Sequence, residues 1–162
     1  VIGTIISFTY NMGKFLPDWH PWEDYRDVYY AKKETGAVRE MLPFELIWLS
    51  HLCASSVKEI QGIIDKISSL DMSADDIGAA VLRFENGVIG TMMIDVITRA
   101  PTRFLQIMGE QGILEWDWIG DIIRLYRVSE KKWQKISLKI FCFTGYIKGA
   151  TRYLIFYYGH QS

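Results

Sequence analysis

IGAAVLRFENGVIGTMMIDVITRAPTRFLQIMGEQGILEWDW, residues 77–118, decides the fold. Apolar residues alternate with small or polar ones on both sides of Asn86-Gly87. That dipeptide between two alternating runs is a strong short-range hairpin signal, because both turn positions must accept positive φ. A second reversal follows at Glu110-Gln111-Gly112. Strands are expected at about 77–85, 88–98, 102–109 and 113–118, an antiparallel meander.

On the C-terminal side, Asp121–Val128 and Trp133–Leu138 read as one more hairpin, turning at Glu130-Lys131-Lys132. On the N-terminal side, Val1–Tyr10 and Val57–Ile67 are rich in β-branched residues and read as strands. Asn11–Pro21 is a loop punctuated by Gly13, Pro17 and Pro21, and Trp22–Lys33 is expected to form a short helix that Thr35-Gly36 breaks. The main helix is VREMLPFELIWLSHLCA, residues 38–54, with Leu42, Leu46, Leu49 and Cys53 at helical spacing. Pro43 belongs in a first turn, where its missing N–H costs nothing, so the helix should start near Leu42, with Glu45 a helix-start charge. The Asp75-Asp76 pair reads as a solvated turn. The sum is an α+β domain: an open-faced, mostly antiparallel sheet of about seven strands with one main helix packed on one face. On so aromatic a chain the uncovered face should be covered by a partner, most simply a second copy.

Composition excludes several classes. With 49% hydrophobic residues among 162, the chain can build a core. A net charge of −1 offers nucleic acid and anionic membranes no long-range attraction. Lys139, Lys148 and Arg152 interrupt the apolar stretch Ile136–Tyr158, which argues against a membrane span. Val1–Ile6 is too short, and lacks the basic residues, for a signal peptide. Cys53 and Cys142 lack metal-ligand spacing and read as buried thiols in a reducing cytoplasm.

Four stretches in order, LPDWHPWEDYR (16–26), GAVREMLPFELIWL (36–49), FENGVIG (84–90) and MGEQGILEWDW (108–118), resemble the C-terminal domain of the Gfo/Idh/MocA family, the glucose–fructose oxidoreductase and inositol dehydrogenase group. The resemblance covers roughly residues 1–135. It implies a dihydrodipicolinate-reductase-like domain that shapes a sugar pocket and pairs subunits, in a protein whose other half, a Rossmann domain, binds NAD or NADP. No G-x-G-x-x-G and no Glu-Lys-Pro signature occurs, so residues 1–138 are read as the second domain alone, with 139–162 an atypical tail of it. No cofactor-binding and no metal-binding residues are assigned. Such a domain would not be catalytic alone. The alternative is a stand-alone carbohydrate-binding or dimerisation module.

Many family members carry Asp-x-x-x-His on a helix, where the i, i+4 spacing puts acid and base on one face. The matching positions here are Glu40 and Phe44. Phenylalanine cannot move a proton, so the resemblance implies either a different proton path or a non-catalytic protein. Glu40 beside Met41 and Leu42 is a carboxylate open to desolvation, and His20 lies in a loop stiffened by Pro17 and Pro21. These two are the candidate catalytic residues. Asp18, Trp22, Tyr25, Arg39, Arg99 and Arg103 are the candidate substrate contacts. Trp19, Trp22 and Tyr25 suit either a sugar platform or hydrophobic cover, and Arg99 and Arg103 suit either an acidic ligand or a plain strand end. Arg39 and Arg26 are alternative ion-pair partners for Glu40. His51 reads as an interface histidine on the main helix.

Overall fold

A computed structural model of the chain describes residues 1–137. The expected tail at 139–162, with Cys142 and His160, lies outside them. The elements run β1 (Ile5–Gly13), α1 (Ala37–Leu52), β2 (Val57–Asp65), β3 (Ile77–Phe84), β4 (Ile89–Asp95), β5 (Thr102–Gly109), β6 (Gly112–Asp117), β7 (Ile122–Arg127) and β8 (Lys132–Ser137). They form one eight-stranded sheet in the order β2-β3-β4-β1-β5-β6-β7-β8. Every neighbouring pair is antiparallel except β1 with β4. The architecture is therefore α+β with a mostly antiparallel sheet, of eight strands among the described residues where about seven were expected.

The hairpins follow from alternation. Across β3–β4 the register pairs Ala80 with Met92 and Leu82 with Gly90, so the apolar residues share one face. At the turn only Gly87 takes positive φ, at 90°. Asn86 instead accepts from Val88 N–H and donates its amide to the Cys53 carbonyl, tying the hairpin to the end of α1. The expectation of two positive-φ residues thus fails. Gly90 has a different reason to be glycine: a Cβ there would run into the Phe8 ring.

The helix departs most from the sequence reading. It begins at Ala37, well before Leu42, and Pro43 lies inside it. Its first turn is capped from far away: Asp75 Oδ2 accepts from Val38 and Arg39 N–H, both at 3.1 Å. Gly36, the local cap residue, has no side chain to do this. The Asp75-Asp76 pair is accordingly no solvated turn. Asp76 is fully buried and accepts from Ile67 and Ser68 N–H at 2.9 Å each.

The expected helix at 22–33 is absent, replaced by turns and a single 3-10 turn at Tyr29–Ala31. Asp24 explains this locally. Its carboxylate accepts from Arg26 N–H and from the Arg26 guanidinium, a competing arrangement that diverts the backbone from a helix.

Val38, Met41, Glu45 and Leu49 form the buried side of α1. They meet the inner sheet face of Phe8, Tyr10, Leu82, Phe84, Met92, Ile94, Leu105 and Ile107. Each such side chain contributes roughly 1.5–3 kcal/mol by leaving water. The opposite face carries few of the aromatics. Exposed Val81, Met93 and Met108 flank a polar row in register, Thr91, Thr9, Gln106, Glu115 and Arg124. Hydrogen bonds Thr91–Thr9 (3.2 Å) and Gln106–Glu115 (2.9 Å) and the ion pair Arg124–Glu115 (2.8 Å) run along it.

Candidate functional site

The chain's unusual chemistry collects in the loop from Lys14 to Gly36, between β1 and α1. Leu16 anchors it, buried to 1% exposure, with its N–H on the Val96 carbonyl at 2.8 Å. Trp19 donates its indole N–H to the Lys14 carbonyl (2.9 Å) and meets Tyr30 edge to face. Tyr25 accepts at its hydroxyl from Asp71 N–H at 3.0 Å. These ties give an irregular segment a fixed shape.

Leu16, Trp19, His20, Tyr25, Val28 and Tyr30 pack around a hollow too small to admit a water molecule. On the same loop His20 Nδ1 meets Glu23 Oε1 at 2.6 Å, and the His20 ring lies nearly parallel to Trp22, 17° apart. Trp22 is 77% exposed, so most of the indole faces water. Of the two expected roles for the aromatics, Trp19 serves as cover, whereas Trp22 covers nothing. Asp18 sits in the 3-10 turn Leu16–Asp18 and is exposed. A wider groove of about 530 Å³ lies behind the loop, between Arg26, Asp27, Lys32, Asp71 and Ser73.

Glu40 sits in the first turn of α1, partly buried. Burial raises its carboxyl pKa, and its charge is felt by Tyr30, whose hydroxyl is itself pushed upward by burial and by Tyr29. Tyr30 lines the same small hollow as His20. Neither expected ion pair to Glu40 forms among the described residues. Arg39 pairs with Asp75 at 3.2 Å, and Arg26 with Asp24 and Asp71. Phe44, one turn further along, is 62% exposed. His51 is also exposed.

The remaining arginines are placed differently. Arg99 lies over the Phe15 ring at 3.6 Å, a cation–π contact. Arg103 is drawn into a buried cluster that the sequence reading missed. Its Nη2 reaches both Glu45 oxygens at 3.0 Å, and its Nε donates to the Tyr10 hydroxyl at 3.0 Å. Tyr10 in turn donates to Glu45 Oε2 at 2.6 Å, and the Trp48 indole N–H donates to the same oxygen. Glu45 is 6% exposed, so it is no helix-start charge. Burial first, and the Glu45 carboxylate second, push the Tyr10 phenol well above its ordinary value. Among the described residues no buried side-chain polar atom lacks a partner.

No group of three His, Cys, Asp or Glu among the described residues is placed to hold a metal. A nicotinamide dinucleotide does not fit the described residues either. Its pyrophosphate needs a free helix N-terminus behind a glycine-rich turn, and the first N–H groups of α1 already face the Asp75 carboxylate. The loop and the start of α1 thus carry an exposed aromatic face, a histidine–carboxylate pair and a partly desolvated carboxylate.

Comparison with known proteins follows the geometry. The family model described as GFO/IDH/MocA C-terminal domain matches residues 1–115. No curated protein matches the sequence. Among solved structures, levoglucosan dehydrogenase in complex with NADH and levoglucosan superposes with a TM-score of 0.65 at 15% identity, over 84% of this chain and 40% of that one. An oxidoreductase domain protein from Kribbella flavida gives 0.65 at 15%, over 84% and 42%. UDP-N-acetylglucosamine 3-dehydrogenase GnnA from Acidithiobacillus ferrooxidans gives 0.60 at 10%, over 83% and 39%. At such identities the likeness is one of fold, and the chain spans about two fifths of the length of these proteins.

Proposed function

The chain belongs to the GFO/IDH/MocA family as a C-terminal domain, and from that premise we propose that it is the substrate-binding and oligomerisation part of an NAD(P)-dependent oxidoreductase acting on a sugar, cyclitol or sugar nucleotide. One observation carries the substrate half of this reading. On the loop before α1, Trp22 is 77% exposed and its ring stacks on His20, whose Nδ1 meets Glu23 Oε1 at 2.6 Å. Aromatic faces beside hydrogen-bonding groups are what a polyol ring needs. Levoglucosan dehydrogenase, with the same fold, takes NADH and levoglucosan. Asp18, Tyr25, Arg39 and Arg99 border the loop or the start of α1 as further polar contacts. Arg103 contributes at most its unused Nη1.

The nucleotide belongs to a separate Rossmann domain, NAD or NADP being the cofactor of the whole protein. The chain alone is inactive on this reading. The open sheet face, with Val81, Met93 and Met108 exposed beside the polar row, supports pairing with a second copy. No helix among the described residues is long and apolar enough to cross a membrane. Cytoplasmic residence belongs to the same reading, with Cys53 a buried free thiol.

Phe44 favours a second reading, a stand-alone carbohydrate-binding or dimerisation module, because the position that should move a proton cannot. The coding sequence upstream of Val1 separates the two. An in-frame strand, glycine-rich turn and helix support the oxidoreductase, and a start codon directly before Val1 supports the module. Titration of the 162-residue chain with NADH checks the division of labour. No saturation is expected, and saturable micromolar binding would overturn it.

A further inference from the structure

We propose that Glu23, His20 and Trp22 form a single pyranose-contacting unit, in which Trp22 stacks on the apolar face of the sugar and His20 Nε2 accepts a hydrogen bond from one of its hydroxyls. The inference rests on the reading of the domain as sugar-binding and names how that site holds its ligand.

The chemistry begins with the histidine. A neutral imidazole carries one N–H, and its other nitrogen is an acceptor. Glu23 Oε1 lies 2.6 Å from Nδ1, and a carboxylate only accepts, so Nδ1 carries a proton. In the neutral ring Nε2 is then left with its lone pair directed away from Glu23. Among the described residues no hydrogen bond occupies it. Glu23 therefore acts as a positioning residue that fixes the tautomer of the neutral ring, with Nε2 as its acceptor. The turn that allows this is short: Glu23 N–H donates to the His20 carbonyl at 3.1 Å, which folds the carboxylate back over the ring.

Trp22 supplies the second half. Its ring is held by His20 at a centroid distance of 5.2 Å and 17° between planes. Only one indole face is used by that stack, and the residue remains 77% exposed. The surface cost of leaving an indole this open has no return in packing, because Trp22 does not belong to the buried core or to the residues packed against it. A flat apolar face next to an oriented acceptor matches a pyranose, whose axial C–H groups form one apolar patch with hydroxyls around its rim. Neighbouring ties at Trp19, Tyr25 and Arg26 keep the loop in place, so little order has to be gained on binding.

The test uses the 162-residue chain and methyl β-glucopyranoside, followed by nitrogen NMR of the imidazoles and the indole N–H signals. The His20 ring is expected as the Nδ1–H tautomer, moving to a mixture in Glu23→Gln. Glycoside should shift the Trp22 indole and His20 Nε2 saturably. Trp22→Ala should weaken binding about tenfold with the amide spectrum of the core unchanged. Glu23→Gln should weaken it severalfold. An Nε2–H tautomer in the unmodified chain overturns the unit. Saturable shifts around Glu40 and Phe44 with Trp22 and His20 unmoved overturn it too, while leaving the sugar-binding reading intact. Absence of any shift with the glycoside and with myo-inositol, up to high millimolar concentration, overturns both.

Discussion

Two clusters of similar residue types stand in this domain, and they end differently. Tyr10, Glu45, Trp48 and Arg103 bring a phenol, a carboxylate, an indole and a cation together between α1 and the sheet. Trp22, His20 and Glu23 bring an indole, an imidazole and a carboxylate together on the loop before α1. In the first, the donors and acceptors consume one another and Glu45 is 6% exposed. In the second, an imidazole nitrogen and most of an indole remain facing water. Residue type does not separate architecture from site, and the number of valences left open does.

The strongest way to break this contrast is to open the closed cluster. Removing Arg103 leaves the Glu45 carboxylate buried without its cation, so Arg103→Ala should cost about 3–5 kcal/mol, read from urea unfolding, and Glu45→Ala less, because the partly exposed Arg103 can reach water. Replacing both by apolar residues, Glu45→Leu with Arg103→Met, recovers part of that loss only when Tyr10→Phe removes the hydroxyl they leave without a partner. Should Arg103→Ala cost under about 1 kcal/mol, its guanidinium is not needed to balance Glu45 and returns to the pool of ligand contacts.

The same contrast explains what was legible in the sequence. The β3–β4 and β5–β6 hairpins were, because strand alternation and turn residues are local signals. Placing β1 between β4 and β5 was not, since that choice depends on partners about eighty or more residues away, such as Thr91 for Thr9. The helix start was misread because its cap, Asp75, is 37 residues from Val38 in the chain. Glu45 read as a surface charge because its partner Arg103 lies 58 residues on. On the loop, the candidates His20, Trp22 and Tyr25 were visible from residue type and prolines. Glu23 and Tyr30 were passed over, although Glu23 stands three positions from His20, a spacing that allows contact within one turn.

A smaller effect sharpens the other side. Trp22 makes no core contact, so Trp22→Ala should change the unfolding free energy by no more than about 0.5 kcal/mol. The same substitution in a packed position would cost about 3–5 kcal/mol. A loss of that size for Trp22→Ala would move the loop into the architectural class and remove the argument that its exposure serves a ligand.

The smallest expected effect concerns Glu40, which lies between the two classes. Burial raises its carboxyl pKa, and no cation among the described residues offsets it. The sign follows from linkage. A carboxyl held above its unfolded value is protonated more readily in the fold, so its stabilising contribution is present below the unfolded pKa and is lost as pH rises through the folded one. At neutral pH the ionised Glu40 therefore weighs against the fold. A competing term is the helix macrodipole, which rewards a carboxylate in a first turn. That reward is reduced here because the Asp75 carboxylate already occupies the N–H groups of Val38 and Arg39. Glu40→Gln should thus raise the melting temperature slightly at pH 7, and the two curves should converge below about pH 4. A lower melting temperature at pH 7 would mean that Glu40 supports the helix. Stabilisation by Glu40→Gln would instead mark a charge that the fold tolerates at a cost, which is what a group kept for a ligand looks like.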